Sequence, residues 1–106
     1  MVVLVPTGSD TEASTLARAL VERRLVACAQ IMPIRSCYCW HDQVVEETEY
    51  LLLLKTRRDR YAELEACVTS LHSYDVPEII ALPVMAGLAS YLNWIDETVQ
   101  SSPAES

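Results

Sequence analysis

The most constraining feature of the sequence is the stretch 28–56, which predicts two long strands joined by a tight turn at His41-Asp42-Gln43. The returning strand ends in an apolar run, Tyr50-Leu51-Leu52-Leu53-Leu54. Successive side chains of a strand point to opposite faces, so a run that is apolar at every position needs cover on both faces. Helices of the same chain can cover one face of this ribbon. We expect further copies of the chain to cover the other.

The size and composition of the chain favour a single domain that associates with copies of itself. The 106 residues are enough for one core and too few for two. Hydrophobic residues make up 51% of the chain and the mean hydropathy is +0.15, which is apolar for a small domain and favours an oligomer. We predict one domain over residues 1–100, followed by a flexible tail over 101–106.

The charge of the chain and its lack of targeting signals narrow the class of protein. A formal net charge of -7, with only 8 Lys and Arg, argues against nucleic-acid binding, which needs a basic footprint. The apolar stretch 1–5 is too short for a secretory signal and has no basic residues before it. No other stretch approaches the length that spans a membrane. We therefore expect a cytoplasmic protein, with no membrane partner, whose four cysteines are thiols.

Cap signals and periodicity place the elements of the first half of the chain. A short strand at 2–5 precedes a helix that begins at Ser9, where Glu12 three residues later completes a capping box, and ends near Arg24. Pro33 lies inside the first long strand and removes a backbone donor from it. We expect a bulge or an edge position there.

The second half repeats this order. Thr56 followed by Asp59 predicts the cap of a second helix, a fourth strand is expected over 78–84, and a last helix covers the region of 91–99. Two strand-helix-strand units with an added helix predict an α+β, ferredoxin-like split βαβ fold with a long central hairpin. Two helices would cover one face of the sheet and leave the other open, which again favours a symmetric homo-oligomer.

Five motifs together cover almost the whole chain except its tail. They are Leu25-Val26-Ala27-Cys28-Ala29, Ser36-x-Tyr38-x-Trp40, Glu49 with the Leu-rich strand to Lys55-Thr56, His72-x-Tyr74-x-Val76-Pro77-Glu78, and Tyr91-Leu92-x-Trp94-Ile95. In this order and spacing they resemble the CutA family, the divalent-cation tolerance proteins. The resemblance implies a PII-like homotrimer of ferredoxin-like subunits whose long hairpin strands pair across subunits. It also implies divalent-cation tolerance with copper binding and no established reaction, so we expect the protein not to be an enzyme.

The candidate metal ligands are Cys28, His72 and Glu78. The first two occupy positions that the family motifs contain, and copper or another divalent cation is the candidate metal. An alternative for His72 is a structural role at the end of the second helix, where a positive imidazolium interacts favourably with the helix dipole. Both interpretations stay open. We expect His41, in the turn, to be solvated.

The polar end of the hairpin carries two further sets of candidates. Cys37-x-Cys39 places two thiols on one strand face, about 7 Å apart at about 3.3 Å per residue. Thiolates are soft ligands that suit Cu(I). The alternative, which we favour, is that both cysteines fill small buried sites as hydrophobic residues. Glu46, Glu47 and Glu49 are expected to form a solvated strand end.

The aromatic residues predict a cleft between subunits. Apolar walls with a few convergent polar groups are typical of a small-ligand pocket, and packing in the core or the interface is the alternative. Such a cleft would suit a PII-like signalling or scaffold trimer, which is our second hypothesis for the function. A third, an acylphosphatase-like hydrolase, is disfavoured because the loop 6–9 has no arginine to bind phosphate. The predicted cleft residues are Tyr38, Trp40, Lys55, His72, Tyr74, Glu78, Tyr91 and Trp94.

Overall fold

Strands and helices follow one another along the chain in the predicted order. The computed structural model describes residues 1–100, and the predicted flexible tail at 101–106 lies outside the described residues. A one-turn 3-10 helix, Arg58–Arg60, precedes the second α-helix. The elements are β1 (Val2–Thr7), α1 (Asp10–Glu22), β2 (Cys28–Trp40), β3 (Gln43–Lys55), α2 (Tyr61–Leu71), β4 (Ile80–Leu82) and α3 (Ala89–Thr98).

The sheet has the strand order β2-β3-β1-β4, and every pair of neighbouring strands is antiparallel. Each half of the chain contributes a strand-helix-strand unit, first β1-α1-β2 and then β3-α2-β4. The first strands of the two units, β1 and β3, lie side by side in the centre of the sheet. This arrangement confirms the predicted α+β, ferredoxin-like fold with an added helix.

The long hairpin extends beyond the rest of the sheet. β2 and β3 contain 13 residues each and pair without a break from Cys28 opposite Lys55 to Trp40 opposite Gln43. The central strand β1 accompanies β3 only as far as Tyr50, so residues 34–49 form a two-stranded ribbon. The subunit is consequently elongated, with principal extents of 48 × 29 × 21 Å.

Local conformations explain both the turn and the proline of the hairpin. His41 and Asp42 have φ angles of 51° and 61°, the left-handed values that a two-residue type I′ turn requires at both central positions. Asp is one of the few residues that tolerates this conformation. Pro33 lies opposite Tyr50 with no shift in register, and β2 is an edge strand. The edge position, rather than a bulge, therefore accommodates the proline.

The predicted start of α1 is confirmed. The Ser9 hydroxyl accepts a hydrogen bond from the Glu12 backbone N–H at 3.1 Å. The helix ends at Glu22, two residues before the predicted end, because Arg24 adopts a left-handed conformation with a φ of 56°. Its N–H then donates to the carbonyl of Val21, which closes the last turn.

Two predictions for the second half of the chain are wrong in detail. Thr56 does not cap α2, because its hydroxyl is buried and donates to the carbonyl oxygen of Leu25 at 2.6 Å. The helix begins instead at Tyr61, and no side chain caps its N-terminus. The fourth strand is shorter than the predicted 78–84, since only Ile80–Leu82 pair with β1.

Helices α1 and α2 cover one face of the sheet, and the opposite face is open. Leu52 and Leu54 of β3 point into the covered core and have no exposed surface. Leu51 and Leu53 alternate with them and remain half-exposed on the other face. We call this second surface the open face. Its apolar residues across the four strands are Val2, Leu4, Met32, Ile34, Leu51, Leu53, Ile80 and Leu82.

Candidate functional site

A cluster of four polar side chains, of which His72 and Glu49 are buried, lies at the C-terminal end of β1. It joins Glu12 from α1, Glu49 from β3, and His72 and Tyr74 from the loop that follows α2. We call these four residues the His72 cluster. Because they come from three separate parts of the chain, their contacts fix the position of the loop against the sheet and against α1.

Both ring nitrogens of His72 have hydrogen-bond partners. The side chain has no exposed surface, and Nε2 lies 2.8 Å from the carbonyl oxygen of Pro6. The backbone N–H of Tyr74 donates to Nδ1 at 3.0 Å. A carbonyl oxygen can only accept, so these partners place the proton of a neutral ring on Nε2. The imidazole is therefore a structural bridge between the loop and β1.

The Glu12 carboxylate is held by backbone donors on both of its oxygens. Oε1 accepts from the Gly8 N–H at 3.1 Å, and Oε2 accepts from the Ser73 N–H at 2.7 Å. Oε2 also lies 3.7 Å from Nδ1 of His72. Burial by itself would raise the pKa of Glu12, but the two N–H donors and the neighbouring imidazole outweigh it and lower the pKa below its ordinary value. The side chain is thus an anion that ties α1 to the loop.

Tyr74 and Glu49 complete the cluster beneath the loop. The Tyr74 hydroxyl donates to Glu49 Oε2 at 3.0 Å, and burial together with this bond raises the pKa of the phenol. Glu49 is 7% exposed, so its predicted place in a solvated strand end is wrong. Gly8 leaves room for the ring, since a Cβ at this position would lie 3.3 Å from the Tyr74 hydroxyl oxygen.

The predicted metal ligands do not meet within one subunit. Cys28 is paired with Lys55 in the ladder, whereas His72 contacts Pro6, which lies opposite Leu51. Four residues of a strand separate these two levels of the sheet, a distance of about 13 Å. Glu78 is exposed in the segment before β4. Among residues 1–100, no three side chains of His, Cys, Asp or Glu are grouped so that they could hold a metal ion.

The predicted cleft residues are also distributed over the subunit. The rings of Tyr91 and Trp94 stack with centroids 5.6 Å apart, and Lys55 donates to Gln30 Oε1 at 2.6 Å. A cleft that contains all eight side chains would need residues from more than one copy. Tyr38 and Trp40 lie near the tip of the ribbon, Tyr91 and Trp94 on α3, Lys55 at the end of β3, Glu78 before β4, and His72 and Tyr74 in the His72 cluster.

The two cysteines of the ribbon are exposed in the subunit, contrary to the burial that we favoured for them. Cys37 and Cys39 lie on the same face of β2, opposite Glu46 and Val44 of β3. Cys37 and Glu46 line a surface depression of about 150 Å³ together with Arg35. β1 does not extend beside this part of β3, so within one subunit the ribbon here is only two strands wide and leaves both thiols exposed.

Sequence reasoning misses two members of the His72 cluster. It assigns Glu12 only to a capping box, and it includes Glu49 in a family motif but expects that residue to lie in a solvated strand end. The cap is a correct signal for the position of Glu12 but gives no information on the loop that this residue binds through Ser73. Partners that are 61 residues apart, as Glu12 and Ser73 are, leave no trace in local periodicity.

The fold and the cluster define a ferredoxin-like subunit with a protruding hairpin and one uncovered sheet face. The chain belongs to the CutA1 divalent ion tolerance protein family, which it matches over residues 1–98. The divalent-cation tolerance protein CutA of Thermus thermophilus is 47% identical over 97 residues, which are 91% of this chain and 94% of that protein. Its solved structure has a TM-score of 0.89 and covers 92% of this chain and 95% of the other.

A second similar structure corrects the predicted cytoplasmic location. The CutA protein of Archaeoglobus fulgidus has a TM-score of 0.91 and is 38% identical, covering 93% of this chain and 97% of its own, and it is described as periplasmic. The short apolar N-terminus and the thiols therefore do not fix the compartment. In residues 1–100, none of the helices combines the length and the apolar character that crossing a membrane requires.

Proposed function

We propose that the protein acts in divalent-cation tolerance as a homotrimer that binds divalent cations, copper foremost. Its family supports this function, since the relatives from Thermus thermophilus and Archaeoglobus fulgidus are both named divalent-cation tolerance proteins. The proposal contains no chemical reaction. The role of the protein is to bind the cation, which is its cargo.

The observation that carries the proposal is the open face of the sheet. Leu53 lies between Leu4 of β1 and Gln30 of β2, and Leu51 lies between Pro6 and Met32. Met32 is 46% exposed, and Ile80 and Leu82 of the edge strand are 47% and 45% exposed. A contiguous apolar surface of this kind favours association with a partner of matching shape. Further copies of the chain supply such a partner, and the trimer is the assembly that the family resemblance implies.

We assign the divalent-cation site to the boundary between copies, because the two ligands are far apart within a subunit. Cys28 lies level with the start of β1, and His72 contacts Pro6 near its end. A cation at His72 needs a free lone pair on the imidazole. Nδ1 is the nitrogen that accepts, so the cation would have to displace the Tyr74 N–H from it. Glu78 is exposed and carries the carboxylate that a second copy can reach.

The aromatic cleft belongs to the same boundary in this proposal. The ribbon carries Tyr38 and Trp40 beyond the body of its own subunit, and Trp40 is 61% exposed. Tyr91 and Trp94 expose 41% and 44% of their surface on α3. Contact between the ribbon of one copy and α3 of the next would cover both pairs of rings, which are the kind of side chain that interfaces favour.

Calorimetric titration with Cu(II) and Zn(II), on protein purified without a tag, tests the cation site. His72→Gln combined with Cys28→Ser should abolish tight binding, since Gln retains a donor for the Pro6 carbonyl but removes the imidazole. His41→Ala is the matched control, because His41 lies in the exposed turn. Binding that survives the double variant would remove these residues from the site. Light scattering should return three times the subunit mass of 11.9 kDa.

A further inference from the structure

We propose that Cys37 and Cys39 form a separate site on the ribbon, a two-thiolate clip for a soft monovalent cation such as Cu(I). This inference does not rest on the proposed function, because it concerns other residues and another oxidation state of the metal. It starts from the pair of exposed thiols on one strand, which the His72 cluster and the open face do not use.

The register of the hairpin places both sulfurs on the same side of the ribbon. Cys37 lies opposite Glu46 and Cys39 opposite Val44, in consecutive positions of one face. This face continues the row of Ala29, which packs against the core beneath the helices. The two cysteines lie beyond the helices and are exposed.

The same alternation keeps the thiols away from the open face. Met32 and Ile34 belong to the opposite row of β2, which is the surface that we expect copies to cover. Residues of one strand that differ by an odd number of positions point to opposite sides. Packing of the open face against another copy therefore does not by itself cover Cys37 and Cys39, which lie on the other side of the ribbon.

The spacing suits a bridging ion better than a disulfide. Two residues on one face of a strand are about 7 Å apart. A disulfide needs Cβ atoms about 3.5–4.5 Å apart, so a direct bond between Cys37 and Cys39 would distort the strand. Metal–thiolate bonds of about 2.3 Å allow two sulfurs on one ion to be about 4.6 Å apart. Side chains that lean towards each other can span this distance from an undistorted strand.

The ligand set selects the class of ion. Thiolates are soft donors and prefer Cu(I), which two sulfurs can satisfy, whereas Zn²⁺ requires four ligands. Residues 1–100 contain no cluster of three or more metal-binding side chains at the ribbon or elsewhere. On binding, each thiol loses its proton to the solvent and each sulfur forms one bond to the ion. No electron is transferred, because the metal arrives as Cu(I).

Competition with the Cu(I)-binding dye bicinchoninate in oxygen-free buffer tests the clip. The reduced protein should remove one Cu(I) per subunit from the dye and gain an ultraviolet thiolate-to-copper band. Cys37→Ser and Cys39→Ser should each lower the affinity by about a hundredfold or more, since changes outside the ligand shell already cost about 10–100-fold. Cys67→Ala is the matched control, because this thiol lies on the buried side of α2 and its substitution should have no effect on Cu(I) binding.

Three results would overturn the clip. The first is a wild-type protein that does not compete with the dye, and the second is a double serine variant that keeps its Cu(I). The third is a disulfide between residues 37 and 39 after exposure to air, detected by peptide mass, because it would contradict the spacing. Titration of the double serine variant with Cu(II) and Zn(II) separates the two proposals, since it should leave divalent binding unchanged.

Discussion

The imidazole Nε2 of His72, whose side chain has no exposed surface, lies 2.8 Å from the buried carbonyl oxygen of Pro6. Proline has no N–H, so β1 offers only its carbonyl at this residue, and a side chain from a distant loop satisfies it. The bond joins residues 66 positions apart and holds the loop that carries Tyr74. This hydrogen bond gives His72 a structural role that is independent of cation binding.

We predict that His72→Ala lowers the free energy of unfolding by about 1–3 kcal/mol, the cost of leaving a buried acceptor without a donor. His72→Gln should cost less, because its amide N–H can reach the same carbonyl. Urea denaturation at a fixed protein concentration measures both changes. Ser14→Ala, on the exposed side of α1, should stay within about 0.5 kcal/mol of the wild type. Equal stability of the two alanine variants would contradict the structural role of His72.

The lowered pKa of Glu12 predicts a stability that depends on acid. A carboxyl whose folded pKa lies below its unfolded value stabilises the protein at pH values above the unfolded pKa, which is about 4.5 here, and this contribution is lost as the pH falls through the folded pKa. Glu12→Gln should therefore be less stable than the wild type near neutral pH. The difference should shrink once the pH falls below about 4.5.

Urea midpoints measured at neutral and acidic pH check this prediction. The matched control is Glu22→Gln on the same helix, since the Glu22 side chain is 65% exposed and pairs with the exposed Arg18. Surface pairs of this type contribute about 0–1 kcal/mol, so the control should run parallel to the wild type. A gap between wild type and Glu12→Gln that stays constant with pH would show that ionisation of Glu12 is not the cause.

The buried hydroxyl of Thr56 gives a further prediction. Thr56→Val keeps the shape of the side chain but leaves the Leu25 carbonyl without its 2.6 Å donor. We expect a loss of about 1–3 kcal/mol in the free energy of unfolding. Thr69→Val is the control, because the Thr69 hydroxyl makes a similar bond to the Ala66 carbonyl on the exposed side of α2. Similar losses in the two variants would mean that burial does not set the cost.

The open face predicts that a single charge can separate the copies. Leu53→Asp places a carboxylate in the middle of the apolar surface, where packing against another copy would leave it desolvated and unpaired. We expect light scattering to give the mass of one chain, 11.9 kDa, for this variant. Ser14→Asp, on the exposed side of α1, adds the same charge and should keep the mass of the wild type. An unchanged mass for Leu53→Asp would place the interface elsewhere.

The parts of the fold that could be predicted are those with a local cause. Alternation in 50–54 and the capping box of Ser9 and Glu12 depend on neighbours in the chain, and the structure agrees with both. The second cap was wrong because Thr56 has a distant partner, Leu25, that competes for its hydroxyl. The end of β4 at Leu82 follows from where β1 begins, since Leu82 lies opposite Val2, and no residue near β4 encodes this partner.

The site was less predictable than the fold for the same reason. The motifs contain His72, Tyr74 and Glu49, yet nothing in their spacing shows that the last two share a hydrogen bond. Glu49 looked solvated because its neighbours Glu46 and Glu47 are. Its burial comes from a loop that folds over the end of β1, and such a contact appears only when the whole chain is assembled.

The position of Pro33 has a consequence for how copies can join. The edge strands of a sheet expose unpaired N–H and C=O groups, to which strands of further chains can be added without limit. Fibrils form by this route. The rim at β2 lacks an amide hydrogen at Pro33, and the rim at β4 is three residues long. Neither rim offers a ladder that runs uninterrupted over the full length of β2. A chain with one apolar sheet face and two edge strands that pair poorly with further strands favours small closed oligomers over open-ended polymers.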